Sequence, residues 1–281
     1  MVVMIKNSRQ RAEEKERQAW QEAIIMRTDC VERLDPVYQN GLLNETVSLH
    51  DLKQIAFLNQ FARGVILLKG KGGAGKTLTM TQLLYNLRKY FGMHVITDYP
   101  LKPAFGEHNY MSTDDFIEEL KKIDEQVKTT KTRNKELLDA EVKDKFAVSA
   151  DEVLKKRGIV FDHAVIGWDE ANRKLESSRA NSKLVMMHRY YVQTWRHYQC
   201  SLILTAPEIS DITYKALNQL TIELGCSYDS VRQEATAMGI NRDTMRKVIM
   251  RTYMPNYAPY YNTHAPISIR DSIMGFGKLK L

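Results

Sequence analysis

The chain predicts an α/β fold, a mainly parallel sheet flanked by helices on both faces, and three observations carry that expectation. Short apolar runs of strand length recur at 65–68, 93–97, 165–168, 201–205 and 220–224. Helix-forming segments separate them, the alternation that places a parallel sheet between layers of helices. The first run also passes directly into a glycine-rich turn that opens a helix, an order that puts ligands at the carboxyl ends of the strands. The chain has 281 residues, 43% of them hydrophobic, enough for one large domain with additions or two modest ones.

In chain order, 8–27 is a charged helix whose apolar side gathers only near Ala19, Trp20, Ala23, Ile24 and Met26. It reads equally as a solvated arm or as a contact with a neighbouring subunit or capsid. Asp35-Pro36 and Asn40-Gly41 mark a turn-rich connection. Ser48 with Asp51 three residues on is a capping-box-like pair that opens a helix through Leu52, Ile55, Ala56 and Leu58, ending at Gly64. A strand at 65–69 leads through the glycine-rich turn to a helix over 76–91, with Leu83, Leu84 and Leu87 facing inward and Gly92 as its stop. The next strand closes on Asp98-Tyr99-Pro100-Leu101. Between 112 and 158 the chain is highly charged and reads as an exposed helical insertion, its first helix capped by Ser112-Thr113-Asp114-Asp115. A helix over 180–197 precedes the strand at 201–205, and strands are expected at 220–224 and 245–253. Beyond them Pro255, Pro259 and Pro266 alternate with Tyr257, Tyr260 and Tyr261, the pattern of an extended tail that wraps the domain. The expected organisation is an arm at 1–47, a core at 48–230 holding the insertion, and a strand with its tail at 231–281.

The turn itself is Gly70-Lys71-Gly72-Gly73-Ala74-Gly75-Lys76-Thr77, with Leu78 following in the helix. It has the spacing and the strand–turn–helix context of a phosphate-binding loop. Residues without a Cβ let the backbone wrap an anion, and the helix N-terminus adds free N–H groups. Lys76 is placed to reach the β- and γ-phosphates of ATP, and the Thr77 hydroxyl to meet Mg²⁺. The apolar run at 165–168 then stops on Asp169 and Glu170. A strand running beside the phosphate-loop strand would deliver these two carboxylates, giving Asp169 to Mg²⁺ and Glu170 to the attacking water.

The remaining composition narrows the setting. Cys30, Cys200 and Cys226 are widely spaced and odd in number, which fits free thiols better than a disulfide framework. No apolar run approaches the ~20 residues of a membrane span, and the apolar start is too short for a signal peptide, so a soluble cytoplasmic protein is expected. A net charge of +7, from 41 basic and 34 acidic residues, suits a polyanionic partner.

With these pieces in place the chain resembles the FtsK/HerA branch of P-loop NTPases, RecA-like in fold, most of all the viral genome-packaging ATPases and the Zot-like phage proteins. The resemblance covers about 64–224 and rests on the loop, on Trp168-Asp169-Glu170-Ala171-Asn172 and on Trp195-Arg196-His197-Tyr198-Gln199-Cys200 with the strand after it. It implies that Arg196 is a finger reaching a neighbouring subunit's nucleotide, so that Glu170, Lys76 and Arg196 form the catalytic set. It further implies an ATP-driven double-stranded DNA translocase working as a pentameric or hexameric ring, with capsid or portal-vertex proteins as partners. The host cytoplasm or a virion vertex is the expected location. A helicase loader, another replication ATPase of a mobile element, and a Zot-like morphogenesis ATPase are the alternatives. One position departs from the branch: where its strand ends in Thr-Gln, this chain reads Thr205-Ala206-Pro207-Glu208, so either Thr205 or Glu208 substitutes for the sensing Gln or the sensing has moved elsewhere.

Overall fold

The computed structural model describes residues 8–122, 125, 161, 163–179, 182–195 and 200–261. They divide into two compact units: the described residues up to Ala62 with Tyr85–Met93, and Arg63–Leu84 with the described residues from His94 onward.

The smaller unit is helical. Helix α1 (Ser8–Ile25) is followed by the single turn α2 (Thr28–Val31), then α3 (Pro36–Leu43) and α4 (Leu49–Leu58). The turn-rich stretch expected after residue 35 is α3, because Pro36 occupies its first turn and the Asp35 carboxylate accepts from the Val37 N–H at 2.9 Å. Proline and an acidic cap are helix-starting signals as much as turn signals. Ser48 caps α4 as its spacing predicts, accepting from the Asp51 N–H at 3.1 Å. Asp51 also accepts from the Tyr90 hydroxyl at 2.7 Å.

The larger unit is built on an eight-stranded sheet, ordered β3-β2-β4-β5-β1-β6-β7-β8 among the described residues. The strands are β1 (Val65–Lys69), β2 (His94–Thr97), β3 (Asn109–Tyr110), β4 (Ala164–Trp168), β5 (Ser201–Ala206), β6 (Ile222–Asp229), β7 (Glu234–Asn241) and β8 (Arg246–Tyr253). The first six strands in that order pair in parallel, with Val65 opposite Leu202 and Ile66 opposite Ile222. The last three form an antiparallel meander that extends the sheet beyond β1. Mainly parallel is thus the observed architecture, with an antiparallel extension that the sequence showed only in part.

Helices lie on both faces of this sheet. On one face Val65, Leu67, Ile166, Trp168, Leu202 and Leu204 pack with Phe116, Leu120, Tyr191, Val192 and Trp195. Phe116 is central, its ring centroid 4.9 Å from Tyr191 and 5.0 Å from Trp168. Burying a side chain of that size stabilises by about 3 kcal/mol. Phe116 belongs to the helical residues 113–122, which Ser112 caps as expected, accepting from the Asp115 N–H at 3.2 Å. Tyr191 and Val192 lie on the helix Lys183–Thr194. On the other face α5 (Lys76–Phe91) crosses β4 so closely that a Cβ on Gly167 would sit 3.2 Å from Met80 Sδ and Leu84 Cδ1. No described helix is long and apolar enough to cross a membrane.

After β8 the chain does not stay extended. It forms a helical turn at Met254–Tyr257 and a 3-10 turn at Ala258–Tyr260. Tyr261 then bridges to Leu101, and the Lys102 N–H donates to Tyr260 O at 2.8 Å. Proline at the second helical position explains why these residues turn instead of running on.

Candidate nucleotide site

The glycine-rich loop leaves β1 at Gly70 and enters α5 at Lys76. Its glycines are not all required to the same degree. Gly70, Gly73 and Gly75 have φ of 149°, 76° and 82°, a region that favours glycine. Gly70 and Gly75 are also pressed by neighbours: a Cβ would lie 2.8 Å from Cys226 O at the first and 2.5 Å from Ala235 Cβ at the second. Gly72 faces open space. The meander strands β6 and β7 therefore form the loop's back wall. Lys71, Gly72 and Gly73 are exposed, Ala74 to Thr77 are half-buried, and Leu78 is buried as the anchor of the first helical turn. The Lys76 ammonium donates to Gly70 O at 2.7 Å and to Lys71 O at 3.0 Å.

The acidic strand reaches the loop, but not as the neighbour of β1 that its sequence predicts: β5 stands between them, and the carboxylates meet the loop from one strand further away. Asp169 follows β4, and its two carboxylate oxygens lie 3.2 and 3.1 Å from Thr77 Oγ1. Both are hard oxygen donors of the kind Mg²⁺ takes, so Thr77 and Asp169 fit the cation that accompanies a nucleotide. Thr205, at 0% exposure on β5, donates to Asp169 Oδ1 at 2.6 Å and accepts from the Glu170 N–H at 2.8 Å. One hydroxyl thus touches both acidic residues. Glu208 is exposed, and its N–H donates to the Asp211 carboxylate at 3.2 Å as part of a capping box.

Glu170 itself is left-handed, with φ 48° and ψ 51°. A residue with a Cβ holds that conformation at a cost of about 1 kcal/mol or more. Its N–H bond to Thr205 and its ion pair with Arg173 hold it there.

Four residues that sequence reasoning gave no role complete the arrangement. Asp98, just past β2, accepts from the Asp169 N–H at 2.8 Å and pairs with the Lys174 ammonium. Burial pushes the Asp98 carboxyl above its ordinary value, while Lys174 and the Asp169 N–H pull the other way. Tyr99 is within 3.1 Å of Thr81 Oγ1, and burial raises its hydroxyl well above the usual range, so it remains a donor. Cys226 lies behind the loop, and burial pushes its thiol up to about 11 despite Lys76, which makes it unreactive at neutral pH. In the sequence Asp98 was marked by its place after an apolar run and by the resemblance of Asp98-Tyr99-Pro100-Leu101 to the close of that strand in Zot-like proteins; Cys226 was marked only as a free thiol, and nothing marked Lys174. Arg196 lies outside the described residues, as does most of the charged insertion.

No family model matches the sequence, and no curated protein matches it. Among solved structures the chain is similar to the N-terminal domain of zonular occludens toxin from Neisseria meningitidis. The two are 15% identical with a TM-score of 0.43, covering 71% of this chain and 99% of that one. It is similar to the genome-packaging NTPase B204 of Sulfolobus turreted icosahedral virus 2, solved with ATPγS, at 11% identity and a TM-score of 0.42, over 68% of this chain and 98% of that one. It is also similar to the pCW3 conjugation coupling protein TcpA, solved with ATPγS, at 14% identity and a TM-score of 0.41, over 71% of this chain and 63% of that one.

Proposed function

We propose that the chain is an ATPase of the FtsK/HerA type that moves double-stranded DNA as a homo-oligomeric ring, in the manner of a viral genome-packaging motor. The observation that carries the ATPase reading is the meeting of Asp169 with Thr77 at 3.1 Å, at the point where the glycine loop enters α5. The loop amides and Lys76 bind the phosphates. Thr77 and Asp169 would hold Mg²⁺, which when bound supplies positive charge against the transferring phosphoryl group. Glu170, next to Asp169, orients a water and accepts its proton. For that the Glu170 carboxylate must turn from Arg173 toward the phosphates, and its 39% exposed side chain leaves room to do so. Thr205, bonded to both acidic residues and one position before the missing Gln, is the residue we assign to take over its report on the γ-phosphate.

Arg196 is assigned to the neighbouring subunit's nucleotide on the strength of the sequence resemblance, and this makes assembly a condition of turnover. Such fingers are worth roughly 10³ to 10⁵ in rate in other P-loop enzymes. The net charge of +7 supports a polyanionic track, contacted mainly at phosphates.

The test is ATP turnover by the purified protein with Mg²⁺, alone and with double- or single-stranded DNA. Glu170→Gln is expected to bind ATP and lose multiple turnover, and Arg196→Ala to do the same in an all-variant assembly. Stimulation by single-stranded DNA only would favour a helicase loader over a packaging motor. Normal turnover by Arg196→Ala would remove the finger.

A further inference from the structure

We propose that Asp98, Lys174 and Tyr99 are positioning residues that set the Thr77–Asp169 separation from strand β2, and with it the site's hold on the divalent cation of the nucleotide. The proposal rests on the nucleotide-site reading above.

Strand β2 does not neighbour β1, because β4 and β5 stand between them. Yet the two residues that follow β2 reach both halves of the site. Asp98 has both carboxylate oxygens committed, one to the Asp169 N–H at 2.8 Å and the other to Lys174. Its own N–H donates to Gly167 O at 3.3 Å, so the backbone is tied to β4 as well. Tyr99, 7% exposed, points its hydroxyl at Thr81 Oγ1, and Thr81 in turn donates to the Thr77 carbonyl at 2.8 Å. Since the Thr81 hydrogen is spent on that carbonyl, Tyr99 is the donor of the pair. Asp98 therefore fixes where Asp169 begins, and Tyr99 fixes the helical turn that carries Thr77.

Lys174 supplies the charge that lets Asp98 do this. The two side chains are 10% and 8% exposed, and a buried carboxylate without a partner is strongly disfavoured. Lys174 also follows the left-handed Glu170 turn. The turn is thereby anchored at three points: Asp169 to Asp98, Glu170 to Thr205, and Lys174 back to Asp98. Groups that orient a metal ligand in this way typically change metal affinity 10- to 100-fold when removed.

The experiment measures binding of a fluorescent ATP analogue in EDTA and again in excess Mg²⁺, for the unaltered chain, Lys174→Met, Asp98→Asn, Tyr99→Phe and the double variant Asp98→Asn/Lys174→Met, with thermal unfolding followed in parallel. Each single variant at Asp98 or Lys174 is expected to keep its affinity in EDTA, which the loop and Lys76 provide. The extra affinity conferred by Mg²⁺ should fall about tenfold or more. The double variant retains an acceptor for the Asp169 N–H with no lone buried charge, and most of the Mg²⁺ effect should return. Tyr99→Phe should reduce the Mg²⁺ effect by a smaller factor.

If the affinities with and without Mg²⁺ fall together in step with stability, the residues are only structural and the proposal is overturned. An unchanged Mg²⁺ effect in folded single variants overturns it too, while leaving the nucleotide site standing. If the unaltered chain binds no nucleotide in either condition, the site reading itself is overturned and this proposal with it.

Discussion

Gly75 and Gly72 sit three residues apart in one loop, yet they should respond oppositely to the same substitution. Gly75→Ala puts a Cβ at a φ of 82° and 2.5 Å from Ala235 Cβ, so strain and overpacking add. The expected loss is about 3 kcal/mol in thermal or denaturant unfolding, with weakened nucleotide binding. Gly72→Ala meets no atom within 4 Å and should leave stability within about 0.5 kcal/mol. Equal losses at the two positions would contradict the loop geometry. At this scale the sequence was readable where chemistry is local in the chain. The phosphate loop is a contiguous motif, and Asp169-Glu170 a strand end. Asp98 and Lys174 were not readable, because an ion pair spanning 76 residues leaves no spacing signature and each residue alone looks like any charged residue near a strand. Thr205 could be named as a candidate only because a residue was missing beside it.

Among the elements, β7 is the longest strand the sequence hid. Glu-Ala-Thr-Ala-Met-Gly-Ile-Asn lacks the β-branched and aromatic bulk of a typical strand. Its small residues are there because neighbours crowd it: Ala235 meets the phosphate loop at Gly75, and a Cβ on Gly239 would fall 1.8 Å from Glu223 O. Gly239→Ala should therefore break the β6–β7 pairing and cost about 3 kcal/mol or more, read by chemical unfolding. Of the strands seen correctly, β1, β4 and β5 are buried on both faces and so read as unbroken apolar runs. The junction of β1 with β6 also has a pH dependence. Burial would push the Glu223 carboxyl up, but Lys69 at 2.7 Å and Arg242 outweigh it and hold it below its ordinary value of 4.5. A depressed carboxyl stabilises the fold above that ordinary value, and the contribution drains away as pH falls from 4.5 through the folded-state value. Glu223→Gln should flatten this part of the stability–pH curve; an unchanged acid limb would mean the pair contributes nothing.

For the whole molecule, the proposed DNA track makes a prediction about salt. Contacts to phosphates release counterions, so a surface making 6–10 of them loses about 10³ to 10⁵ in affinity between 50 and 200 mM salt. Double-stranded DNA of unrelated sequences should bind alike and weaken together over that range, as measured by fluorescence anisotropy. Strong sequence preference or a flat salt response would argue against a translocase.

The strand order has a consequence for how the molecule opens. β1 is bonded to β5 on one side and β6 on the other, and Val65 to Leu68 have no exposed surface. β8, by contrast, pairs with β7 alone among the described strands. Amide protons of β1 can then reach solvent only through global unfolding, whereas those of β8 can exchange by local fraying. Hydrogen-exchange mass spectrometry should find 65–69 among the last segments to take up deuterium and 246–253 well ahead of them. The nucleotide loop would then hang from the part of the chain that lets go last.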